Sequence, residues 1–377
     1  MKKIRLLLLC TLLVVLSGCF PTGEQNAASD SEKINIANEP IPDNLNMELD
    51  KNLLIKADIT GGENNEYPSL SISLKDLNSD PLKQDLVTDK KLLETFKSNS
   101  DIKPDYKDTY FEFTDGSHMS IQLGAVRFED TFYSDREYFD VIYGAKPYIR
   151  ADLHDIYKKT TLENINSNEA IEQVKKAATE FGVINLGNPD VVALDLETLK
   201  SEWEDYEQKD GSHPRKWEKA DEAYVVTFPV VHNNLNITNK GYLSNAANIA
   251  VIGSRVIGVV NKDGIIALTL DGIYDTGTTI KDKVNPSSLE DALKMVKTKY
   301  KDVVLTDPIT ISKIALEYVP IVSKQDSISY ELTPAWVFTA KQDVTSTDGK
   351  DTYTAPVYFT IIIDADTGQE MRIGSDY

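Results

Sequence analysis

Cysteine is nearly absent from this chain. Two residues in 377, Cys10 and Cys19, account for all of it, and both lie within the first nineteen. Everything downstream is therefore without a disulfide or a cysteine metal site, and its stability must come from packing. Histidine is also scarce. His118, His154, His213 and His232 are the four, and none stands in a His-Glu-x-x-His or other close ligand spacing. They read as surface or loop residues, so no metal and no cofactor is expected. Gly253-Ser254-Arg255 lacks the second glycine of a nucleophile elbow. Without a P-loop or a Gly-x-Gly-x-x-Gly after a strand, acyl transfer and nucleotide chemistry find no support, and no catalytic residue is assigned. Base is outnumbered by acid, 40 residues to 60, for a net charge of −20. That balance argues against nucleic acid and against a polybasic grip on anionic lipid. It reads as charge that keeps the chain soluble.

Long apolar runs are confined to the leader. Lys2, Lys3 and Arg5 precede Leu6 to Leu16, and Leu16-Ser17-Gly18-Cys19 follows. A basic head, a short apolar run and small residues form the order of a secretory signal, too short for an ordinary spanning helix. Leu-Ser-Gly-Cys resembles the lipobox of bacterial lipoproteins. The resemblance implies cleavage before Cys19 and lipid on its sulfur, which places the protein at the extracytoplasmic face of the cell membrane. Removing Lys2, Lys3 and Arg5 would take the net charge to about −23. Abundant Lys, Asn, Ile and Tyr point to a Gram-positive, low-GC source.

Five segments are expected: a lipoprotein signal peptide at 1–18, a flexible tether at 19–48, an N-terminal α+β domain at 49–158, and two further units at 159–275 and 276–377. The tether is rich in Pro, Asn, Ser and acid and shows no periodicity. In the first domain, Leu53-Leu54-Ile55 and the alternating Leu70, Ile72 and Leu74 read as strands. Leu82 to Phe96 reads as helical. Tyr110–Phe113 and Met119–Leu123 flank Thr114-Asp115-Gly116-Ser117, a strong hairpin signal. Further strands are expected at Val126–Tyr133 and Tyr138–Tyr143. Each later unit opens with an amphipathic helix, one carrying Ala170, Ile171, Val174, Ala178 and Phe181, the other Leu289, Ala292, Leu293, Val296 and Tyr300. Ser287 and Glu290 have capping-box spacing in the second, and Asn166 and Glu169 a looser version in the first. β-rich runs follow both helices and end in the polar turns Asn261–Gly264 and Asp364–Gly368, so the units read as an internal repeat.

Helix, strands and a closing Ile363-Asp364-Ala365-Asp366-Thr367-Gly368 are similar to PepSY-type domains of secreted bacterial proteins. Leu316–Pro320 and Leu332–Phe338 extend the likeness to the YycH/YycI-type extracytoplasmic regulators. This resemblance implies an α+β fold of two helix-plus-antiparallel-sheet units, without catalytic residues. Asp364, Asp366, Gly368 and Glu370 form an incomplete calcium loop and read better as a turn. Trp203, Tyr206 and Trp217 flank the charged insertion Ser201–Lys219 and are the candidate partner-binding residues. The function expected is a non-catalytic, lipid-anchored protein that binds and modulates a membrane or envelope protein. The alternatives are a ligand- or cation-binding lipoprotein serving a transporter, and a carboxylate-based envelope hydrolase.

Overall fold

Strands dominate the molecule. The computed structural model describes residues 41–62, 66–77, 81–100, 102–103, 105–135, 153–201, 217–244, 249–322, 330–348, 351–371 and 375–376. In chain order the strands are β1 (Asn44–Asp50), β2 (Leu53–Thr60), β3 (Tyr67–Leu74), β4 (Leu92–Asn99), β5 (Lys107–Phe113), β6 (His118–Gln122) and β7 (Ala125–Glu129). Next come β8 (Asp190–Leu194), β9 (Ala223–Pro229), β10 (Val231–His232), β11 (Leu235–Asn236), β12 (Tyr242–Ser244) and β13 (Ile249–Val251). The last are β14 (Arg255–Asn261), β15 (Gly264–Asp271), β16 (Tyr274–Val284), β17 (Ile309–Val322), β18 (Tyr330–Asp348), β19 (Asp351–Asp364) and β20 (Ser375–Asp376). The helices among the described residues are α1 (Thr131–Asp135), α2 (Leu153–Ile156), α3 (Ser167–Glu180) and α4 (Leu289–Tyr300).

Two large sheets hold most strands. One has the order β4-β5-β6-β7-β15-β14-β9-β8, antiparallel throughout. The other runs β1-β2-β17-β18-β3-β16, with β19 also on β18 and a parallel step between β2 and β17. α3 lies on the first sheet, over β15, β14 and β9. Gly258 in β14 makes that approach possible, because a Cβ there would collide with Val174 of α3. α4 packs against β1 and β19. Trp336, buried in β18, donates its Nε1 hydrogen to the Ser287 carbonyl at 2.9 Å and fixes the start of α4 to the sheet. The two sheets meet where Lys75 N donates to Ile273 O, Ile273 N to Gly124 O and Gly124 N to Lys75 O.

This architecture corrects the α+β expectation. The molecule is mostly β, with large curled sheets, and it is not a pair of PepSY-like units each laying one helix on its own sheet. The physical reason is strand pairing. β2 and β3 from the first segment join β17 and β18 from the last, while β4–β7 complete the sheet of β8, β9, β14 and β15. Leu82–Phe96 is not a helix either. It contains a 3-10 turn at Pro81–Lys83 and then β4, whose backbone is taken by β5. Asn44–Glu48, assigned to the tether, begin β1. Tyr138–Tyr143 lie outside the described residues.

The strand expected at Val126–Tyr133 ends at Glu129, and Thr131–Asp135 form α1. Several other local features follow the sequence. The β5–β6 hairpin turns at Gly116, with φ +84°. Burial raises the Asp115 pKa, but hydrogen bonds from Lys90 and from the Ser117 hydroxyl and amide outweigh it and hold it at about 2. Asn166 caps α3, accepting from Asn168 N at 2.9 Å and Glu169 N at 3.4 Å. α4 is capped one residue later than its spacing suggests, by Ser288, which accepts from Asp291 N at 3.1 Å. The Asp364 carboxylate accepts from the amides of Asp366 and Thr367, both at 2.8 Å. Asp366 then pairs with Lys281 and Glu370 with Lys299, so this segment is a salt-bridged turn. No described helix is long and apolar enough to cross a membrane.

Candidate functional site

The proposed aromatic anchors do not form one exposed surface. Trp217 is only 4% exposed and belongs to the core under the eight-stranded sheet, beside Leu194, Leu199, Ala223 and Val259. It is a core residue and not a partner anchor, because the strands after the insertion pull it beneath β8 and β9. Trp203, Tyr206, His213 and Cys19 lie outside the described residues.

A cleft of about 120 Å³ lies between the sheets. One wall is α2 and the start of β8, which contribute His154 and Asp190. His154 Nε2 and Asp190 Oδ1 are 2.9 Å apart. The other wall is β17 and β18. A register shift between Ile311 and Lys313 breaks the alternation of β17, leaving Lys313 exposed. From there Lys313, Ala315 and Glu317 line the cleft, with Thr339 and Val337 opposite the first two in the ladder. Lys313 Nζ is 3.6 Å from Glu317 Oε1, whose side chain is 9% exposed.

The floor is the segment after β11. Thr238 N donates to Tyr318 O at 2.8 Å, and Arg255 donates to Asn239 O at 3.2 Å. Arg255 is itself held by the buried Asp271 at 3.0 Å. The segment is thus tied to both sheets. The cleft has mixed charge, with each acid facing a base, and it falls well short of the ~300 Å³ from which small-molecule sites usually start. It suits water or a small polar group. Among the described residues no cluster of three or more His, Cys, Asp and Glu could hold a metal.

The sequence marks His154, Glu317, Val337 and Arg255 only within other motifs, and nothing in it brings them to one cleft. His154 and Asp190 are 36 residues apart, and β17 arrives from the far end of the chain. Ser254 of the tested elbow is fully buried and hydrogen-bonds the Gly272 carbonyl, so it supports the turn between β15 and β16. His232 makes an edge-to-face contact with Tyr318 at 5.7 Å between ring centres, and burial lowers its pKa. His118 faces Glu129 across β6 and β7 at 3.4 Å, and that hydrogen bond raises its pKa.

No protein-family model and no curated protein matches the chain. A solved structure does: an uncharacterized protein from Eubacterium rectale ATCC 33656 superposes with a TM-score of 0.68. The match covers 91% of this chain and 96% of that one at 17% identity. The likeness is one of fold.

Proposed function

We propose that this is a lipid-anchored extracytoplasmic protein that binds and modulates a membrane or envelope protein. The observation that carries the reading is the leader: Lys2, Lys3, Arg5, the apolar run to Leu16, and Leu16-Ser17-Gly18-Cys19. Cys19 bears the lipid, the Pro- and Asn-containing stretch after it gives reach, and the folded strands carry recognition. Trp203 and Tyr206 remain the candidate anchors within the charged insertion, and Trp217 is withdrawn from that set by its burial.

Two measurements test this. Labelled palmitate should enter the full chain and be lost in Cys19→Ala, and label retained in that variant would sink the anchor. Crosslinking of the full chain in its membrane, read by mass spectrometry, should recover one membrane or envelope protein. That recovery should weaken in a Trp203→Ala, Tyr206→Ala double variant. Recovery of nothing specific overturns the partner.

A second reading, delivery of a small ligand or cation to a transporter, is favoured by one feature, the cleft of His154, Asp190, Lys313 and Glu317. A ligand of the native state would raise the melting temperature in a metabolite and cation screen, and Glu317→Gln should abolish that rise.

A further inference from the structure

Glu317 stands apart from the other buried acids. Among the described residues these are Asp108, Asp195, Asp221, Glu222 and Asp271. Asp221 accepts from Glu218 N at 2.7 Å, Asp271 from Arg255 at 3.0 Å, and Asp195 from Lys159 and from the Thr198 amide and hydroxyl. Glu222 accepts from Leu196 N at 3.2 Å and Asp108 from Gln122 at 3.4 Å. Glu317 accepts no hydrogen bond among the described residues, although its side chain is only 9% exposed. Lys313 faces it at 3.6 Å, an ion pair but longer than a hydrogen bond. Burying a carboxylate without donors is costly, and a group that brings donors would relieve that cost.

The cleft that Glu317 lines sets what such a group can be. Its full charges balance, Lys240 and Lys313 against Asp190 and Glu317, so a ligand with a net charge would leave them unbalanced. A lone cation on Glu317 meets Lys313, and a lone anion on Lys313 meets Glu317. A molecule with one charge of each sign satisfies both. Because Lys313 and Glu317 are 3.6 Å apart, the two ligand charges must also sit close together, as they do when an ammonium and a carboxylate share one carbon. The cleft of about 120 Å³ has room for a few waters or for one molecule of that size, so the ligand carries a short side chain or none.

We propose that the cleft binds a free α-amino acid of the size of glycine or alanine, its ammonium on Glu317 and its carboxylate on Lys313. This rests on the cleft being a ligand site, the second reading above, and names the ligand class. The ammonium supplies the donors that Glu317 lacks, and the carboxylate meets the half-exposed Lys313 ammonium. The walls come from β8 on one sheet and from β17 and β18 on the other, so a bound ligand ties the two sheets together and stabilises the native state. A molecule of so few atoms makes few contacts, and the binding is weak.

The test is a thermal and calorimetric titration of the full chain with glycine and L-alanine. Methylammonium chloride, sodium acetate and their equimolar mixture serve as controls at matched ionic strength. Glycine and alanine should give a saturable rise in melting temperature with measurable heat, and the controls none. Glu317→Gln and Lys313→Met should each abolish the saturable part. Lys313 is half exposed, so its variant keeps the fold, which the far-UV spectrum checks. An equal saturable rise with methylammonium alone overturns the amino acid and leaves a cation-binding cleft standing. No saturable rise with either amino acid, or the same rise in Lys313→Met, overturns the proposal. Glycine binding in a chain whose crosslinking recovers no transporter upholds it and overturns delivery instead.

Discussion

Gly258 shows at the scale of one residue how the sheet and α3 depend on each other. Its hydrogen lies where any Cβ would meet Val174, so Gly258→Ala should cost about 1–3 kcal/mol, the range for overpacking a filled core. Chemical denaturation would show it, and a cost near zero would mean that α3 sits more loosely than described. Trp217→Ala should lose about 3–5 kcal/mol as a large-to-small core change. A variant that keeps its stability yet loses partner recovery would restore Trp217 to the recognition surface. The histidines carry opposite signs. His118 has a pKa raised above 6.5 by Glu129, so it supports the fold below 6.5 and that support fades as pH rises through the raised value. His232 has a pKa lowered by burial, so its contribution is in place above 6.5 and is lost as pH falls through the lowered value. An NMR titration should find the His118 midpoint above that of His232, and the reverse order would contradict both placements.

Elements with a local cause could be read from the sequence, and those defined by a distant strand could not. α3 has its cap, its acid in the first turn and its apolar stripe within one short stretch, so Asn166 to Phe181 reads correctly. Asn166→Ala should cost about 1 kcal/mol through the lost cap. Ser288→Ala should cost about the same, whereas Ser287→Ala should cost less, because its hydroxyl is not the cap. Thermal unfolding of the three variants checks the order. Gly116 and Asp115 likewise mark their hairpin from within four residues. Leu82–Phe96 fails for the complementary reason. Its apolar residues fit a helical stripe loosely, but β5 offers the backbone from Leu92 onward a row of partners, and nothing local announces it.

At the scale of the whole molecule the sheets ignore the order of the chain. The described residues fall in one compact unit, and β2 and β3 complete a sheet whose centre is β17 and β18. A fragment of residues 276–377 would leave β17 without β2 and β18 without β3, exposing Ile311, Ile314 and Leu332. It should not fold alone, and a dispersed, native-like NMR spectrum from it would show that the last segment is independent after all. The cleft is a consequence of the same interleaving. Its two walls come from β8 and from β17–β18, and they meet only once both sheets are closed.

The sequence by itself determined whatever depends on short range: the scarcity of cysteine and histidine, two capped helices and the polar turns. Periodicity and capping act over a few residues, so they are visible in a single chain. Tertiary structure alone decided the mostly β architecture, the burial of Trp217 and the cleft between the sheets. Each depends on which strands pair, and a strand's hydrogen bonds are indifferent to how far away in sequence their partners lie.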